Sequence, residues 1–352
     1  MKEYKCDILI VGAGPAGSSA AAEAVKSGAN VLVVERRKKI GVPIRCAEYI
    51  PAQLKGEVNI GSKYIVQRIK GIRTHLPDGS KHEIKAPGYT INRDVFDQSL
   101  ATHAEIKGAK ILKQVMVIGK ERKEVLIRLK EETIIRVKTK VIIGADGPNS
   151  TVGKWIGSIN KNLIPAIQTR ILLTEPIEFS EFYFNKDFFG GYGWLFPKGN
   201  YANVGVAKKM RDTSRMSLSE TLKKFLDYLI AQGKIIPSWS GFSGGWVPAE
   251  KARIIAKENM LLAGDAAGHA HPVTGAGIAF AVIGGKMAGK WAACAVKEND
   301  LSVLSEYEKE WMENFKETFN TAYRKRTFME SNWNELDAII KKCWVAFKEY
   351  YE

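Results

Sequence analysis

The feature that most restricts what this chain can fold into is "CDILIVGAGPAGSSAAAEAVKSGANVLVVERR", residues 6–37. An apolar run, a glycine turn, a run of small residues and a second apolar run predict strand, turn, helix and strand. Gly12 permits the tight turn, Gly14 lets the backbone approach a pyrophosphate, and Gly17 lets the helix pack closely on the sheet. Ala20, Ala21, Ala22 and Ala24 keep that helix near the strands. Its N-terminus offers N–H groups and a positive dipole end to phosphates. Glu35 closes the second strand, 18 residues after Gly17, where a carboxylate accepts ribose hydroxyls and disfavours a 2′-phosphate. These residues predict a dinucleotide cradle without saying which dinucleotide it takes.

Two further strands end in a glycine and an acid. "VIIGADGPNSTVGKWIG", 141–157, carries Gly144, Asp146 and Gly147, with Ser150 ahead of a helix. "NMLLAGDAAGHAHPVTGAGIAFAVIGGKMAGKWAA", 259–293, carries Gly264 and Asp265, then a turn with Gly275 and Gly277 that opens a long helix. Asp265 is placed to bond a sugar or ribityl hydroxyl. Gly275 and Gly277 bare N–H groups at a helix start, suited to an electron-rich ring edge.

This trio, in this order, resembles the flavoprotein superfamily typified by para-hydroxybenzoate hydroxylase. The resemblance runs through most of the first 295 residues and implies FAD as cofactor. The glycine fingerprint would hold the ADP half, "GADGPNS" matches the DG motif, and "AGDAAGHAHPVTGAGI" matches the GD motif beside the ribityl chain and ring. "INRDVFDQSLATHAEIKGAK", 91–110, resembles the family's Arg-x-x-Phe-Asp helix and would place Arg93 near the flavin chain; a pairing of Arg93 with Asp94 or Asp97 is the other reading. Many hydroxylases carry Val-Arg where this chain has Val152-Gly153-Lys154, so that arginine's contact with a pyridine nucleotide is not carried over.

The implied architecture is α/β: a Rossmann-type FAD-binding domain interleaved with an antiparallel-sheet substrate domain, plus C-terminal helices. We assign 1–60, 89–157 and 246–300 to the FAD-binding domain, 61–88 and 158–245 to the substrate domain, and 301–352 to the helical segment. A chain of 352 residues, 45% of them apolar, is long enough for two sub-domains. Asp78-Gly79 predicts a hairpin turn. Ser217 and Glu220 predict a capping box, with Gly233 ending that helix.

Charge and cysteine usage narrow the partners. A net charge of +15 favours phosphate-bearing partners or anionic lipid, but no dense basic block accompanies it, and nucleic acid is not expected. The four cysteines show neither disulfide nor metal spacing, which fits a reducing cytosol and no metal site. The N-terminus runs directly into a strand, so no signal peptide is expected. The apolar stretch near 273–296 is broken by glycines, Lys286 and Lys290 and reads as a buried helix. The expected location is cytoplasmic, with peripheral membrane contact through basic residues of the C-terminal helices.

"GGYGWLFPKG", 190–199, alternates Tyr192, Trp194 and Phe196, so all three rings share one face of a strand. With Pro197 it resembles the Tyr/Phe-x-Trp-x-Phe-Pro signature of the geranylgeranyl reductase family, where it lines a cavity for a polyprenyl chain; core filling is the other use of such a face. The following strand departs mildly, with Gly205-Val206-Ala207 for the usual Gly-x-Gly. The Trp-x-Trp-x-Ile-Pro of flavin halogenases is missing, which argues against halogenation. "GVPIRCAEYIP", 41–51, resembles the Cys-x-Glu segment of the archaeal reductases. By that resemblance Arg45 would sit by the flavin or its phosphates, with Cys46 and Glu48 near the substrate end.

The resemblance thus implies a prenyl reductase, in which reduced FAD delivers hydride to one alkene carbon and a proton reaches the other. Cys46, Tyr192 and His271 are the proton-donor candidates; Glu48, Tyr192, Trp194 and Phe196 are the candidate substrate contacts. His269 and His271 flank the expected flavin edge. With no second glycine fingerprint for a nicotinamide, the electron donor is external, NADPH or a ferredoxin-like protein. Two other readings stay open: an FAD monooxygenase of an aromatic or lipid substrate, and a non-catalytic flavin-binding membrane-associated protein.

Overall fold

The computed structural model describes residues 2–122, 124–129, 133–210, 216–238 and 240–352. Its nucleotide-binding half is a six-stranded sheet in the order Ala256–Lys257, Met260–Leu262, Val141–Gly144, Ile8–Val11, Val31–Glu35, Lys110–Lys113. The last five run parallel, and only Ala256–Lys257 is antiparallel. The middle strands are buried along their whole length, as expected of a parallel sheet covered on both faces. Gly12, Asp146 and Asp265 follow the carboxyl ends of three adjacent strands. Distant stretches of sequence are thereby gathered at one edge, where open α/β sheets bind ligands.

The glycine-turn helix Pro15–Ala24 crosses the long helix Ile278–Glu298 on this sheet. The small residues of both make the approach possible. A Cβ on Gly285 would lie 2.2 Å from Ala16 O, and one on Gly289 2.3 Å from Ala20 O.

The second large sheet has nine strands. Its path runs Ile235–Ile236, Leu163–Leu173, Tyr201–Ala207, Tyr192–Lys198, Phe179–Tyr183, Ile65–His75, Lys81–Ile91, Tyr49–Pro51, with Phe242–Pro248 also paired to Leu163–Leu173. One face packs on helix Leu218–Ala231, which starts with the expected Ser217–Glu220 capping box. The other is covered by the C-terminal helices Ser305–Ser331 and Leu336–Cys343. Asp78 closes the expected hairpin, its carboxylate accepting the Ser80 N–H at 2.8 Å.

Tyr49–Pro51, the end of Lys81–Ile91 and all of Phe242–Pro248 pair within the nine-stranded sheet, so 49–51, 89–91 and 246–248 belong with it. A separate four-stranded sheet, Lys2–Lys5, Ile134–Lys138, Glu124–Arg128 and Met116–Glu121, was not anticipated.

Candidate active site

Each glycine of the first turn has its own physical reason. Gly12 has φ +99° and sits so close to the DG loop that a Cβ would lie 2.4 Å from Ala145 O. A Cβ on Gly17 would fall within 1.9 Å of Gly12 O. Gly14, at the start of the helix, faces open space with no atom within 4 Å of such a Cβ, which is what close approach by a ligand needs. Glu35 is shared: Oε2 accepts the Ala13 N–H and Oε1 the Arg37 N–H, each at 2.9 Å, so this carboxylate holds the glycine loop. Burial, with Arg45 and Arg36 beside it, holds the Arg37 guanidinium below its ordinary pKa despite Glu35. Arg45 is exposed next to Gly245, whose Cβ would lie 3.6 Å from its own. The guanidiniums of Arg36, Arg37 and Arg45 are thus within electrostatic reach of one another.

Asp146 accepts the Ser150 hydroxyl at 2.5 Å and the Thr151 N–H at 2.6 Å, and so braces Ser150, which caps the short helix Thr151–Trp155 by accepting the Gly153 N–H. Gly147 has φ +86° and open space around it. Asn160 ties the DG and GD loops together, donating to Pro148 O at 2.7 Å and Asp265 O at 2.8 Å. Burial pushes the Asp265 carboxyl up to about 6, against the pull of Arg93. Gly275 has φ +66°, and a Cβ on Gly277 would lie 3.5 Å from Asp265 Oδ1. Gly277 heads the long helix with no side-chain cap on its first turn.

Arg93 makes the pairing with Asp97. Its guanidinium donates to both oxygens of Asp97, at 2.9 and 3.0 Å, and also reaches the Cys46 thiol. Burial opposes its charge, but Asp97 and Cys46 outweigh burial and raise its pKa. Cys46 is half-buried, accepts the Glu48 N–H on Sγ at 3.3 Å, and also acts on Tyr192 electrostatically. The thiol is thus within reach of both Arg93 and Tyr192.

Tyr192 and His271 are tied to the turn that precedes Gly275. The Tyr192 hydroxyl donates to Thr274 O at 2.5 Å, and burial raises its pKa. His271 Nδ1 accepts the Thr274 N–H at 3.3 Å, and burial lowers its pKa to about 4, so the ring is neutral at pH 7. His269 stacks on Trp311 with centroids 3.4 Å apart, and burial holds its pKa well below the ordinary histidine value. Of the three proton-donor candidates, Tyr192 alone gives its hydrogen to this turn; a neutral His271 that accepts on Nδ1 carries its hydrogen on Nε2, and the Cys46 thiol makes no bond to the turn.

Glu48 is 1% exposed, and its carboxylate is taken up by protein donors. Oε2 accepts from Lys198 Nζ at 2.6 Å, Asn203 Nδ2 at 2.9 Å and Arg170 at 3.1 Å; Oε1 accepts the Arg93 N–H at 2.9 Å. Its φ of +68° is a left-handed conformation that costs a non-glycine residue on the order of 1–3 kcal/mol.

Tyr192, Trp194 and Phe196 do share one face. They pack with Phe182 and the C-terminal Trp344, with Phe182 5.0 Å from both Phe196 and Trp344 between ring centroids. The intervening Gly193 and Leu195 face helix Leu218–Ala231. Trp194 and Phe196 are each 6% exposed, so these rings are packed as core.

Sequence reasoning missed the residues that hold the site together. Buried Arg326, on the helix Ser305–Ser331, donates to Pro272 O at 2.9 Å and to Gly190 O, joining the GD loop to the aromatic strand. Gln168, Arg170, Lys198 and Asn203 fasten the 46–48 segment to the sheet. The polar pair at i, i+2 in "AIQTRILL" was the available signal.

The comparisons with known proteins bear on this geometry. Residues 10–69 match an NAD(P)-binding Rossmann-like domain, and residues 72–319 match an FAD binding domain. The digeranylgeranylglycerophospholipid reductase of Methanococcus vannielii is 35% identical, over 96% of this chain and 90% of its own. That of Methanocaldococcus jannaschii is 34% identical, over 95% and 90%. The chain belongs to the digeranylgeranylglycerophospholipid reductase family. A geranylgeranyl bacteriochlorophyll reductase-like structure from Thermoplasma acidophilum aligns over 99% of this chain and 94% of its own, with a TM-score of 0.87 and 28% identity. A flavin-dependent brominase, at 16% identity and a TM-score of 0.76 over 96% of this chain and 90% of its own, shares the fold. The cofactor of this family member is FAD. The site suits it: open space at Gly14 and Gly147, a helix start at each end of the crevice, the Arg37 guanidinium beside Glu35, and Asp265 buried at the third strand end.

Proposed function

We propose that this chain is an FAD-dependent reductase that saturates C=C bonds in the geranylgeranyl chains of a glycerophospholipid. The observation that carries the reading is the Cys46 thiol, held by the Glu48 N–H at 3.3 Å within reach of the Arg93 side chain and of Tyr192 on the aromatic strand. When bound and reduced, FAD supplies a hydride to one carbon of the alkene. An isolated alkene accepts hydride poorly, so this chain must hold it close and exclude water. Tyr192, Trp194, Phe196 and Phe182 offer apolar contact worth ~25 cal/mol per Å² covered. Cys46 gives its proton to the other alkene carbon. The thiolate left behind faces the guanidinium of Arg93, which Asp97 fixes, until solvent returns a proton.

In this reading Tyr192 and His271 shape the 271–275 turn. An external donor, NADPH or a ferredoxin-like protein, reduces the cofactor. The enzyme meets its lipid from the membrane surface through basic C-terminal residues; among the described residues no helix is long and apolar enough to cross a membrane. The test is anaerobic mixing of dithionite-reduced holoenzyme with a glycerophospholipid carrying geranylgeranyl chains. Return of the oxidised flavin spectrum with lipid, and not with its saturated counterpart, supports the reading. The same rate with both lipids contradicts it.

A further inference from the structure

We propose that Glu48 is a positioning residue that sets the Cys46 thiol against Arg93. The inference rests on the assignment of Cys46 as proton donor. Glu48 touches both groups: its N–H donates to Cys46 Sγ at 3.3 Å, and its Oε1 accepts the Arg93 N–H at 2.9 Å. One residue thereby links the thiol to the first turn of the helix that carries the guanidinium.

Two features show that this link is held from outside. The first is the backbone: φ of +68° turns the Glu48 N–H back onto the sulfur of a residue two positions earlier, and an ordinary side chain does not choose that conformation. The second is the anchor. Lys198, Arg170 and Asn203, from strands Tyr192–Lys198, Leu163–Leu173 and Tyr201–Ala207, converge on Oε2. The neighbouring carbonyls are held by the same strands, Cys46 O by Gln168 at 2.8 Å and Ala47 O by Asn203 at 3.1 Å. The substrate sheet thus grips the segment through a buried carboxylate and presents the thiol to the cofactor side. Glu48 touches no reacting atom and acts through Cys46.

The experiment is a single turnover in D2O with dithionite-reduced holoenzyme and a glycerophospholipid bearing geranylgeranyl chains. Both hydrogens added to a double bond then carry label, and their relative configuration reports from which side the proton came. Wild type is expected to give one configuration. Glu48→Gln keeps FAD and a KM within about threefold, loses about a hundredfold in turnover as a misplaced donor does, and yields mixed configurations as water replaces the thiol. If E48Q does not fold around FAD, Glu48→Gln with Lys198→Met removes both charges and leaves no unpaired buried ion; the same loss is expected of it. Retained turnover and a single configuration in either variant, while Cys46→Ser loses both, overturns the positioning role. If Cys46→Ser itself keeps both, the assignment of Cys46 falls, and the role of Glu48 with it.

Discussion

Trp194 lies flat over Gly205 on the neighbouring strand: the two are register partners, and a Cβ on Gly205 would come within 2.2 Å of the indole ring. The same Cβ would meet Ile167 O at 2.5 Å. Gly205 is therefore the floor on which the central ring of the aromatic face rests. Gly205→Ala should destabilise the protein by about 1–3 kcal/mol through overpacking. Trp194→Ala should cost ~3–5 kcal/mol. In the double variant the costs should be less than additive, since removing the ring frees one of the two contacts. Chemical denaturation of the four proteins measures this, and strict additivity would count against the stacked geometry.

Gly14→Val should abolish FAD binding and leave the fold intact. A Cβ at Gly14 meets no protein atom, so the substitution obstructs only what approaches from the crevice. Flavin content after reconstitution, read beside the circular dichroism spectrum, checks this; a yellow Gly14→Val protein would contradict it.

Asp265 should trade apoprotein stability for cofactor binding. Its folded pKa of about 6 lies above the ordinary aspartate value of 3.8, so the native state holds more protons than the unfolded state between those values. Stability from this group is present below about 3.8 and is lost as pH rises through about 6. Asp265→Asn removes the loss, so the apoprotein variant should gain up to about 3 kcal/mol at pH 7, and the gain should vanish near pH 4. Urea denaturation of both apoproteins across this range reads the difference. FAD affinity should fall in the same variant. His271 acts with the opposite sign: its folded pKa of about 4 lies below 6.5, so its contribution is lost as pH falls through that window.

Lys341 and Lys342 are exposed in the last turn of Leu336–Cys343, and they are the residues chosen to test membrane attachment. Lys341→Glu with Lys342→Glu should weaken binding to vesicles rich in anionic lipid by about tenfold or more, at ~1 kcal/mol per basic residue near the surface. Added salt should weaken the wild type likewise. Sedimentation with neutral and anionic vesicles tests both, and salt-independent binding would place the contact elsewhere.

The sequence carried the local part of this structure well. The glycine turn, the hairpin at Asp78-Gly79, the capping box at Ser217 and the one-faced alternation of Tyr192, Trp194 and Phe196 depend on spacings of a few residues, and the folded chain has them. What it did not carry depends on pairings across the fold. That Glu48 would be enclosed by Lys198, Arg170 and Asn203 follows from sheet register, which a Cys-Ala-Glu stretch does not encode. Arg326 resembled any other cation of a charged helix until its carbonyl partners, more than fifty positions away, were in place. The short strands at 49–51 and 242–248 likewise take their place through pairings across the fold.

The measurement that tests the central claim most directly is mass spectrometry of a glycerophospholipid bearing geranylgeranyl chains after incubation with the FAD-loaded enzyme and dithionite without oxygen. The account predicts product masses that rise by two hydrogens for each double bond saturated, and no such product from Cys46→Ser at matched FAD content. Lipid recovered unchanged from a fully flavinylated, fully reduced enzyme, or a product that gains oxygen once air is admitted, would contradict it.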